Sequence, residues 1–395
     1  MVPKGWLKYS VGELCTSIVP GRNKPKVFDG DIPWVTTPEI NGRYIPSKLQ
    51  VNYVSTTALS DAGGKIVPQG AVVMAAVGEL GLIAITSEPV VLNQQLHAFV
   101  CSKLVNNEYL AYWLTTQKPY MESIASKTTI PYMNKANCES IPVLLPPLAE
   151  QFKIAQILLT WDNAISVTEK LLTNSQQQKK ALMQQLLTGK KRLLDENGVR
   201  FSGEWCTCTL SEVAHIIMGS SPKSEAYNDN GLGLPLIQGN ADIKCRVSCP
   251  RVYTSDITKE CTPGDILLSV RAPVGTVALS QHKACIGRGI SAIKSKRKMS
   301  QSFLYQWFLW FEPKWCYLSQ GSTFESINSD DIKTLKLSVP NFEEQQKIAA
   351  VLSAADAEIS TLEKKLACLR DEKKALMQQL LTGKRRVKVD EAVAE

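Results

Sequence analysis

A twelve-residue segment that occurs twice constrains this 395-residue chain more than any other feature of its sequence. The segment Lys179 to Lys190 returns without a change at Lys373 to Lys384, 194 residues later. At the same spacing, Pro146 to Lys190 and Pro340 to Lys384 are identical at 25 of 45 positions with no gap. An identity of this length at a fixed spacing indicates an internal duplication, so we expect two related halves.

The duplicated segments have the apolar periodicity of long helices. In the second copy two series recur every seven positions, and only Lys373 is not apolar: Ile348, Ala355, Leu362, Leu369 and Leu376, then Leu352, Ile359, Leu366, Lys373 and Leu380. The first copy repeats this spacing with more polar members: Ile154, Trp161, Thr168, Ser175 and Leu182, then Leu158, Ile165, Leu172, Lys179 and Leu186. Each copy then runs to Gly189 or Gly383, where a helix C-cap belongs.

A helix of about 40 residues at about 1.5 Å per residue spans roughly 60 Å, and its apolar stripe requires a partner. The two stripes belong to one chain and lie 194 residues apart. We therefore predict that the long helices pair with each other as an antiparallel coiled coil. The alternative is an ordinary helical hairpin within a core, which the narrow apolar seam does not favour.

The stretches that precede the two helices also repeat each other. In the first stretch, Ile32 to Val35 predicts a strand, Gly70 to Thr86 a hairpin and Glu108 to Thr116 a helix. Glycine, proline and aromatic positions recur 194 residues later, as in Trp113 and Trp307, whereas the polar loops differ. We predict an α+β fold with a pseudo-two-fold repeat: a mixed α/β domain at 1–145, a long helix at 146–192, a linker and second mixed α/β domain at 193–339, and a second long helix with a tail at 340–395.

The composition is that of a globular protein, since 44% of the residues are hydrophobic and 21% are charged. The longest apolar runs have the length of strands, and the first residues lack the apolar core of a signal peptide. We therefore expect a cytoplasmic protein without membrane contact. The net charge of +8 permits binding to nucleic acid without requiring it.

Eleven cysteines are scattered without the spacing of a disulfide framework, which indicates a reducing compartment. Cys206 with Cys208, and Cys245 with Cys249, have spacings that metal ligands can adopt. The chain has only three histidines, and only His215 lies near a cysteine pair. We interpret the cysteines as buried free thiols and predict no metal site.

The sequence lacks the motifs of common catalytic sites. Gly189-Lys190 does not belong to a phosphate-binding loop, because Gln184 stands where that motif needs glycine. Leu145 to Leu148 has neither the polar nor the aromatic residue of an adenine-methylation loop. The chain has no nucleophile elbow or His-Glu-x-x-His motif, and three histidines supply little acid-base chemistry. We predict a protein that is not an enzyme and binds no cofactor.

Two variable α/β domains, each followed by a long helix, resemble the DNA-specificity subunit of type I restriction-modification systems. The resemblance covers the whole chain and is carried by the helix starts, Pro146 to Ala155 and Pro340 to Ala349, and by both Leu-Leu-Thr-Gly-Lys ends. It implies two target recognition domains, each reading one half of a split sequence in double-stranded DNA. It further implies that the helices separate the domains and bind two modification (methyltransferase) subunits, which bind S-adenosylmethionine, and that restriction subunits join the complex.

The resemblance places DNA contacts in several loops of each domain. Arg can bind guanine, and Asn or Gln can bind adenine, through two hydrogen bonds, whereas Lys mainly neutralises phosphate. The predicted DNA-binding residues of the first domain are Arg22, Asn23, Lys24, Lys26, Thr36, Thr37, Arg43, Gln94, Gln95, Lys127, Thr128, Thr129 and Asn134. Those of the second domain are Ser220, Ser221, Lys223, Gln238, Asn240, Lys244, Arg246, Arg271, Arg288, Ser322, Thr323 and Asn328. Any single one has the alternative interpretation of a solvated surface residue, so the prediction applies to the loops as sets.

A coiled-coil scaffold with two protein-binding heads is the alternative function. A DNA-binding protein loses affinity steeply as salt rises, because counterions are released from neutralised phosphates, whereas a mainly apolar protein contact does not. Salt dependence therefore discriminates between the two functions. An enzyme with an unrecognised site is a second alternative, which turnover by the isolated chain would reveal.

Overall fold

Two long helices are the largest elements of the protein, for which a computed structural model describes residues 2–21, 23–48, 50–126, 129–315 and 326–389. Helix α6 spans Leu148–Leu186 and helix α10 spans Phe342–Leu380, with 39 residues each. Gly189 and Gly383 follow these helices with φ angles of 70° and 69°, a left-handed conformation that favours glycine and ends both helices. Both predicted long helices are confirmed.

Every position of the predicted heptad seam is buried or half-buried in both helices. Leu158 and Leu352, which are equivalent in the duplication, are fully buried. Outside the seam, Val167 is 56% exposed and Leu171 is 48% exposed, whereas Ala155 and Met183 are buried. The heptad pattern therefore identified the face on which each helix packs.

The chain divides into two compact units, which we call unit 1 (Met1–Val167 with Leu366–Glu395) and unit 2 (Thr168–Lys365). Each unit combines one mixed α/β domain with one end of α6 and the opposite end of α10. Because this division passes through both helices, it does not test the sequence limits at residues 145, 192 and 339, which stay a prediction.

Within unit 2 the two helix ends run antiparallel. Ser175 donates a hydrogen bond to Glu358 at 3.1 Å, and one turn further along α6 Lys179 forms an ion pair with Asp356, which lies earlier in α10. The contacted residues of α10 therefore come earlier in the chain as α6 advances. The predicted antiparallel direction is confirmed for these helix ends.

Lys373, which breaks the heptad pattern, also forms an ion pair. In unit 1 its ammonium group binds the carboxylate of Asp162 and lies 5.4 Å from the ring centre of Tyr112. The duplication relates this pair to Lys179 and Asp356 of unit 2, with the helices exchanged. Both units thus have a charged pair at this position of the seam. This pair disfavours a shift of one long helix along the other, because a shift would leave a carboxylate without its cation.

The described residues of unit 1 form three sheets. Its strands are β1 Leu7–Ser10, β2 Cys15–Ile18, β3 Ile32–Val35, β4 Tyr44–Ile45, β5 Tyr53–Val54, β6 Ile66–Val67, β7 Val72–Ala75, β8 Ile83–Thr86, β9 Val90–Leu92, β10 Leu96–Cys101 and β11 Pro142–Leu145. Its shorter helices are α1 Val11–Leu14, α2 Thr56–Asp61, α3 Asn107–Thr116, α4 Lys118–Ile124 and α5 Lys135–Glu139, with a 3-10 turn at Thr37–Glu39. The strand orders are β1-β11, β2-β10-β7-β8-β4 and β5-β3-β9-β6. The predicted strand, hairpin and helix are confirmed as β3, β7 with β8, and α3.

Unit 2 repeats this plan. Its strands are β12 Cys206–Thr209, β13 Ala214–Met218, β14 Tyr227–Asn228, β15 Leu234–Ile237, β16 Ile243–Lys244, β17 Val247–Ser248, β18 Val252–Thr254, β19 Glu260–Cys261, β20 Ile266–Ser269, β21 Val277–Leu279, β22 Ala284–Ile286, β23 Ile290–Ser295 and β24 Lys336–Val339. Within the described ranges its helices are α7 Leu210–Val213, α8 Gln301–Phe311 and α9 Ser329–Lys333, with 3-10 turns at Ser224–Ala226, Asn240–Asp242 and Glu312–Lys314. The strand orders are β12-β24, β13-β23-β20-β21-β17-β16 and β14-β18-β15-β22-β19.

The largest hydrophobic core of each unit joins its helix ends to its sheets. In unit 1 this core includes Leu158 of α6 and Tyr109 of α3. In unit 2 it includes Leu352 of α10 and Phe303 of α8. The long helices are therefore part of each core, so a domain and its helix ends depend on each other for stability.

None of the described helices is long and apolar enough to cross a membrane. Cys206, Cys245 and Cys368 are exposed, so the interpretation of the cysteines as buried thiols is wrong for these three. Cys206 lies on a strand of a two-stranded sheet, and Cys245 lies in the turn between β16 and β17 with a φ angle of 49°, so neither is covered. Within the described ranges, no three His, Cys, Asp or Glu side chains lie close enough together to hold a metal ion.

Candidate nucleic-acid interface

Several loops of unit 1 meet at one edge of its five-stranded sheet, which we call the unit 1 edge. Strands β2 and β7 end there and β10 begins there, because β10 runs antiparallel to both neighbours. Strands β3 and β9 are parallel and end beside it, since the turn Asn93 to Gln95 joins β9 directly to β10. The loop after β2, the loop after β3 and this turn are all predicted DNA-binding loops.

Predicted residues from these three loops share a cavity of about 300 Å³, whose lining includes Asn23, Lys24, Thr36, Gln94 and Gln95. Trp34 and Asn93 line the same cavity. Lys24 and Lys26 also line a neighbouring cavity of about 770 Å³, in which Asp29 and Asp61 supply negative charge. Amide and ammonium groups thus face one space, a combination that suits a polar ligand with anionic groups.

Side chains behind the unit 1 edge hold these loops in place. The backbone N–H and the hydroxyl of Thr36 both donate to Glu39 Oε2, at 2.7 and 2.8 Å. Thr37 is only 8% exposed, and its hydroxyl donates to Gln95 Oε1 at 3.2 Å. Thr37 and Gln95 therefore position the loops, whereas Gln94 beside them is exposed.

Arg43 and Arg246, two predicted base readers, occupy equivalent positions, since each carbonyl accepts a backbone hydrogen bond from the equivalent strand, β8 or β21. Arg43 Nε donates to Glu108 at 2.7 Å, and its guanidinium lies 3.5 Å from the ring centre of Tyr112. Arg246 Nη1 donates to Glu312 at 2.7 Å. Both guanidinium groups are bound to carboxylates of their own domain, so a paired contact with guanine would compete with these internal bonds.

Unit 2 brings its equivalent loops together mainly through backbone contacts. Ser220 N donates to Ile286 O at 3.0 Å, and Gly289 N donates to Gln238 O at 3.1 Å. A Cβ atom at Gly289 would lie 2.3 Å from Gln238 O, so this approach requires glycine. The loops that carry Ser220, Gln238 and Arg288 meet at one edge of the six-stranded sheet, which we call the unit 2 edge.

Most predicted side chains of unit 2 are exposed: Ser220, Ser221, Lys223, Gln238, Lys244, Arg246, Arg271, Arg288 and Asn328. Asn240 is half-buried at the start of a 3-10 turn. The loop after β15 is organised by Asp242, which accepts hydrogen bonds from Gln238 N at 2.8 Å and Arg251 Nε at 3.0 Å. Asp242 therefore has the role that Glu39 has in unit 1.

Asn134 and Asn328 are both helix N-caps. The Asn134 side-chain oxygen accepts the N–H of Asn137 at 2.8 Å, at the start of α5. The Asn328 oxygen accepts the N–H groups of Asp330 and Asp331 at 2.8 and 2.9 Å, at the start of α9. Backbone hydrogen bonds from the preceding residues tie both caps to the residues that follow β7 and β20, beside the two edges. The oxygens serve the helices, so only the side-chain nitrogens are available to a ligand.

Five predicted residues lie outside the described part of the chain: Arg22, Lys127, Thr128, Ser322 and Thr323. Thr129 is described and exposed. The predicted set omitted Trp34, Asn93 and Asp242. Asn93 had a signal in the sequence, since it belongs to an amide-rich stretch between apolar residues. Trp34 is a buried strand residue, and no local pattern marks such a residue as lining a surface cavity.

The model of the type I restriction modification DNA specificity domain matches residues 3–174 and 202–369. The unit 1 edge lies in the first matched segment and the unit 2 edge in the second. Among known relatives, the MjaX specificity subunit assigned to a type I restriction enzyme of Methanocaldococcus jannaschii is 37% identical over 292 residues. This match covers 71% of the present chain and 68% of the relative.

Solved structures match along nearly the whole chain. A chain from a type I restriction-modification system, studied for its complex assembly and conformational transition, is 25% identical with a TM-score of 0.60, and the match covers 96% of this chain and 98% of that one. The S subunit from M. genitalium, 15% identical with a TM-score of 0.64 and 96% coverage of both chains, has the same fold. The chain belongs to the family of type I restriction-modification DNA specificity subunits and carries two copies of the specificity domain.

Proposed function

We propose that the chain is the non-catalytic subunit that selects the DNA target of a type I complex, with each unit binding one half of a split sequence in double-stranded DNA. The observation that carries this proposal is the meeting of equivalent loops at one sheet edge in each unit. The two edges present different side chains, such as Gln94 and Arg288. Duplicated readers with different side chains suit two different half-sites within one target.

The proposed DNA contacts are the exposed or half-buried polar side chains of these loops. At the unit 1 edge they are Asn23, Lys24, Lys26, Thr36, Gln94, Thr129 and Asn134. In unit 2 they are Ser220, Ser221, Lys223, Gln238, Asn240, Lys244, Arg271, Arg288 and Asn328. The lysines bind phosphates, and the Asn, Gln and Arg side chains bind base edges.

Some predicted residues receive another role in this proposal. Arg43 and Arg246 are not assigned to bases, because their guanidinium groups bind Glu108 and Glu312. Thr37 and Gln95 act as positioning residues for the turn after β9. The residues outside the described ranges, Arg22, Lys127, Thr128, Ser322 and Thr323, stay in the set on sequence grounds alone.

The proposal includes the partners of the complex. The helices α6 and α10 bind two modification subunits, which carry S-adenosylmethionine, and restriction subunits join this assembly in the cytoplasm. The comparison with a chain studied for complex assembly in such a system supports a subunit that acts within a larger complex. The present chain then contributes target selection and no catalytic step.

Methylome sequencing tests the proposal. The chain and its modification subunit are expressed together, and each is expressed alone, in a host without DNA methylation. We expect methylation at one split sequence from the pair and none from either protein alone. Methylation by this chain alone would contradict a non-catalytic role, and methylation of an uninterrupted site would contradict two separate readers.

Salt dependence tests the phosphate contacts and the protein-scaffold alternative. Lys24→Gln and Lys223→Gln should weaken binding about equally for all sequences, and each should lower the slope of log K against log salt by about one. Lys103→Gln is the control, since Lys103 is exposed beyond the opposite end of β10 and should leave the slope unchanged. Binding to duplex DNA that does not weaken with salt would favour a protein-binding scaffold.

A further inference from the structure

Two three-residue turns, one in each unit, have the same backbone hydrogen bonds. One turn, Asn93 to Gln95, joins β9 to β10, and the other, Gly287 to Gly289, joins β22 to β23. The first residue of each turn donates to the end of the parallel neighbouring strand, at 3.0 Å in unit 1 and 2.9 Å in unit 2. The last residue of each turn accepts from the residue that follows β7 or β20, at 2.8 and 2.9 Å. The middle residues, Gln94 and Arg288, therefore occupy equivalent positions of the backbone.

The residues on either side of Gln94 bind each other. Asn93 Nδ2 donates to Gln95 Oε1 at 3.2 Å, and Gln95 N donates to Asn93 Oδ1 at 3.2 Å. The same Gln95 oxygen accepts the hydroxyl of Thr37. Both flanking side chains are thus hydrogen-bonded inside unit 1, whereas Gln94 between them is not hydrogen-bonded within the described ranges.

In unit 2 the residues on either side of the middle residue are glycines, so only the middle residue of the turn offers a side chain. Gly287 and Gly289 have no side chains, and a Cβ atom at Gly289 would meet Gln238 O at 2.3 Å. Arg288 is exposed between them, as Gln94 is in unit 1. Neither side chain forms a hydrogen bond or an ion pair with the residues that the structure describes, so both can bind an external partner without first losing an internal one.

We infer, resting on the proposed function, that Gln94 and Arg288 are equivalent specificity-determining residues, Gln94 for an adenine in one half-site and Arg288 for a guanine in the other. The side-chain amide of glutamine matches N6 and N7 of adenine, and the guanidinium of arginine matches O6 and N7 of guanine. Two simultaneous hydrogen bonds to one base require a side chain in a fixed orientation. The hydrogen-bonded turn provides this, because it sets the direction from which each side chain enters the major groove.

The test is an exchange of the two residue types in the full chain, expressed with its modification subunit. For Gln94→Arg we expect one position of one half-site to change from adenine towards guanine, while the other half and the spacer stay the same. For Arg288→Gln we expect the reverse change in the other half. Binding to a panel of duplexes with each base substituted should show a shift in preference of about 5- to 150-fold at these positions.

The controls use the same substitutions at the other ends of the same sheets. Gln69→Arg lies before β7 and Arg297→Gln lies after β23, both at exposed positions away from the edges, and both should leave the target unchanged. A split target that neither Gln94→Arg nor Arg288→Gln alters would overturn the inference while the proposed function stands. Weaker binding without a change in base preference would overturn it too. A wild-type complex that methylates no split target would instead refute the proposed function.

Discussion

Asp162 of unit 1 and Asp356 of unit 2 occupy equivalent positions but take their second hydrogen bond from different side chains. Each carboxylate is paired with a lysine of the other long helix. Tyr112 donates the further hydrogen bond to Asp162, whereas Gln306, its equivalent, donates to Asp356 at 2.8 Å. Both units therefore keep a paired and hydrogen-bonded carboxylate at the seam, whereas the neutral donor differs between them.

A second pair of equivalent carboxylates differs in burial between the two units. Arg192 binds Glu344 through two hydrogen bonds of 2.6 and 2.7 Å, and Arg386 binds Glu150 in the same way. In unit 1 the indole N–H of Trp6 also donates to Glu150, at 3.3 Å. The Glu344 side chain is fully buried, whereas that of Glu150 is 10% exposed. We therefore expect the stability of unit 2 to depend more on Arg192 than the stability of unit 1 depends on Arg386.

The largest effect is expected from a variant in which both long helices, which the two units share, are lengthened. A heptad inserted after Val167 and another after Lys365 preserve all contacts inside each unit, since these points divide the units. The insertion adds about 10.5 Å of helix, equivalent to about three base pairs at about 3.4 Å each. If α6 and α10 set the spacing, methylome sequencing should show both half-sites unchanged and a spacer longer by about three base pairs. A change in the half-site bases would contradict the division into readers and spacer.

The next largest expected effect is a difference in stability loss between the two units when each arginine is removed. Arg192→Ala leaves the buried Glu344 carboxylate without its cation, so we expect unit 2 to lose about 3–5 kcal/mol. Arg386→Ala should cost unit 1 less, because Glu150 is partly exposed and keeps the hydrogen bond from Trp6. Native-state hydrogen exchange, followed in peptides of each unit, measures both losses. Equal losses would show that the difference in burial does not matter.

The seam leucines should give equivalent losses in the two units. Leu186 and Leu380 are equivalent and at most 2% exposed, so Leu186→Ala should destabilise unit 2, and Leu380→Ala unit 1, by about 2–5 kcal/mol. Leu171→Ala serves as the exposed control and should change stability by about 0.5 kcal/mol or less. Urea unfolding monitored by hydrogen exchange of each unit provides the measurement. If Leu171→Ala lost as much stability as the two seam variants, the heptad pattern would not identify the packed face of the helix.

The smallest expected difference is a pH effect confined to unit 1. Burial lowers the pKa of His97, partly offset by Glu139, whereas the equivalent position in unit 2 is Ser291. Below the unfolded pKa of about 6.5, the unfolded chain gains a proton that folded unit 1 resists. Unit 1 should therefore lose stability as the pH falls from 7.5 to 5.5, relative to unit 2. His97→Gln should reduce this pH dependence in urea unfolding at the two pH values, and an unchanged dependence would assign it to other groups.

The sequence by itself determined the duplication, the two long helices and their packed face. It did so because these features are local or periodic. Gly189 and Gly383 mark a backbone conformation, and the heptad positions of α6 and α10 mark one side of a helix. Each of these signals can be read within a few turns of the chain, whatever it later packs against.

Only the tertiary structure decided which members of the predicted loops face outward. Arg43 and Arg288 are both arginines in loops that resemble DNA-binding segments, yet Arg43 binds Glu108, 65 residues away, and Arg288 has no partner among the described residues. The turn after β9 depends in the same way on Thr37, 58 residues from Gln95. Such partners come from other strands and helices, so their positions follow from sheet register and packing. An ion pair or a positioning hydrogen bond between distant residues therefore leaves no periodic trace in the sequence.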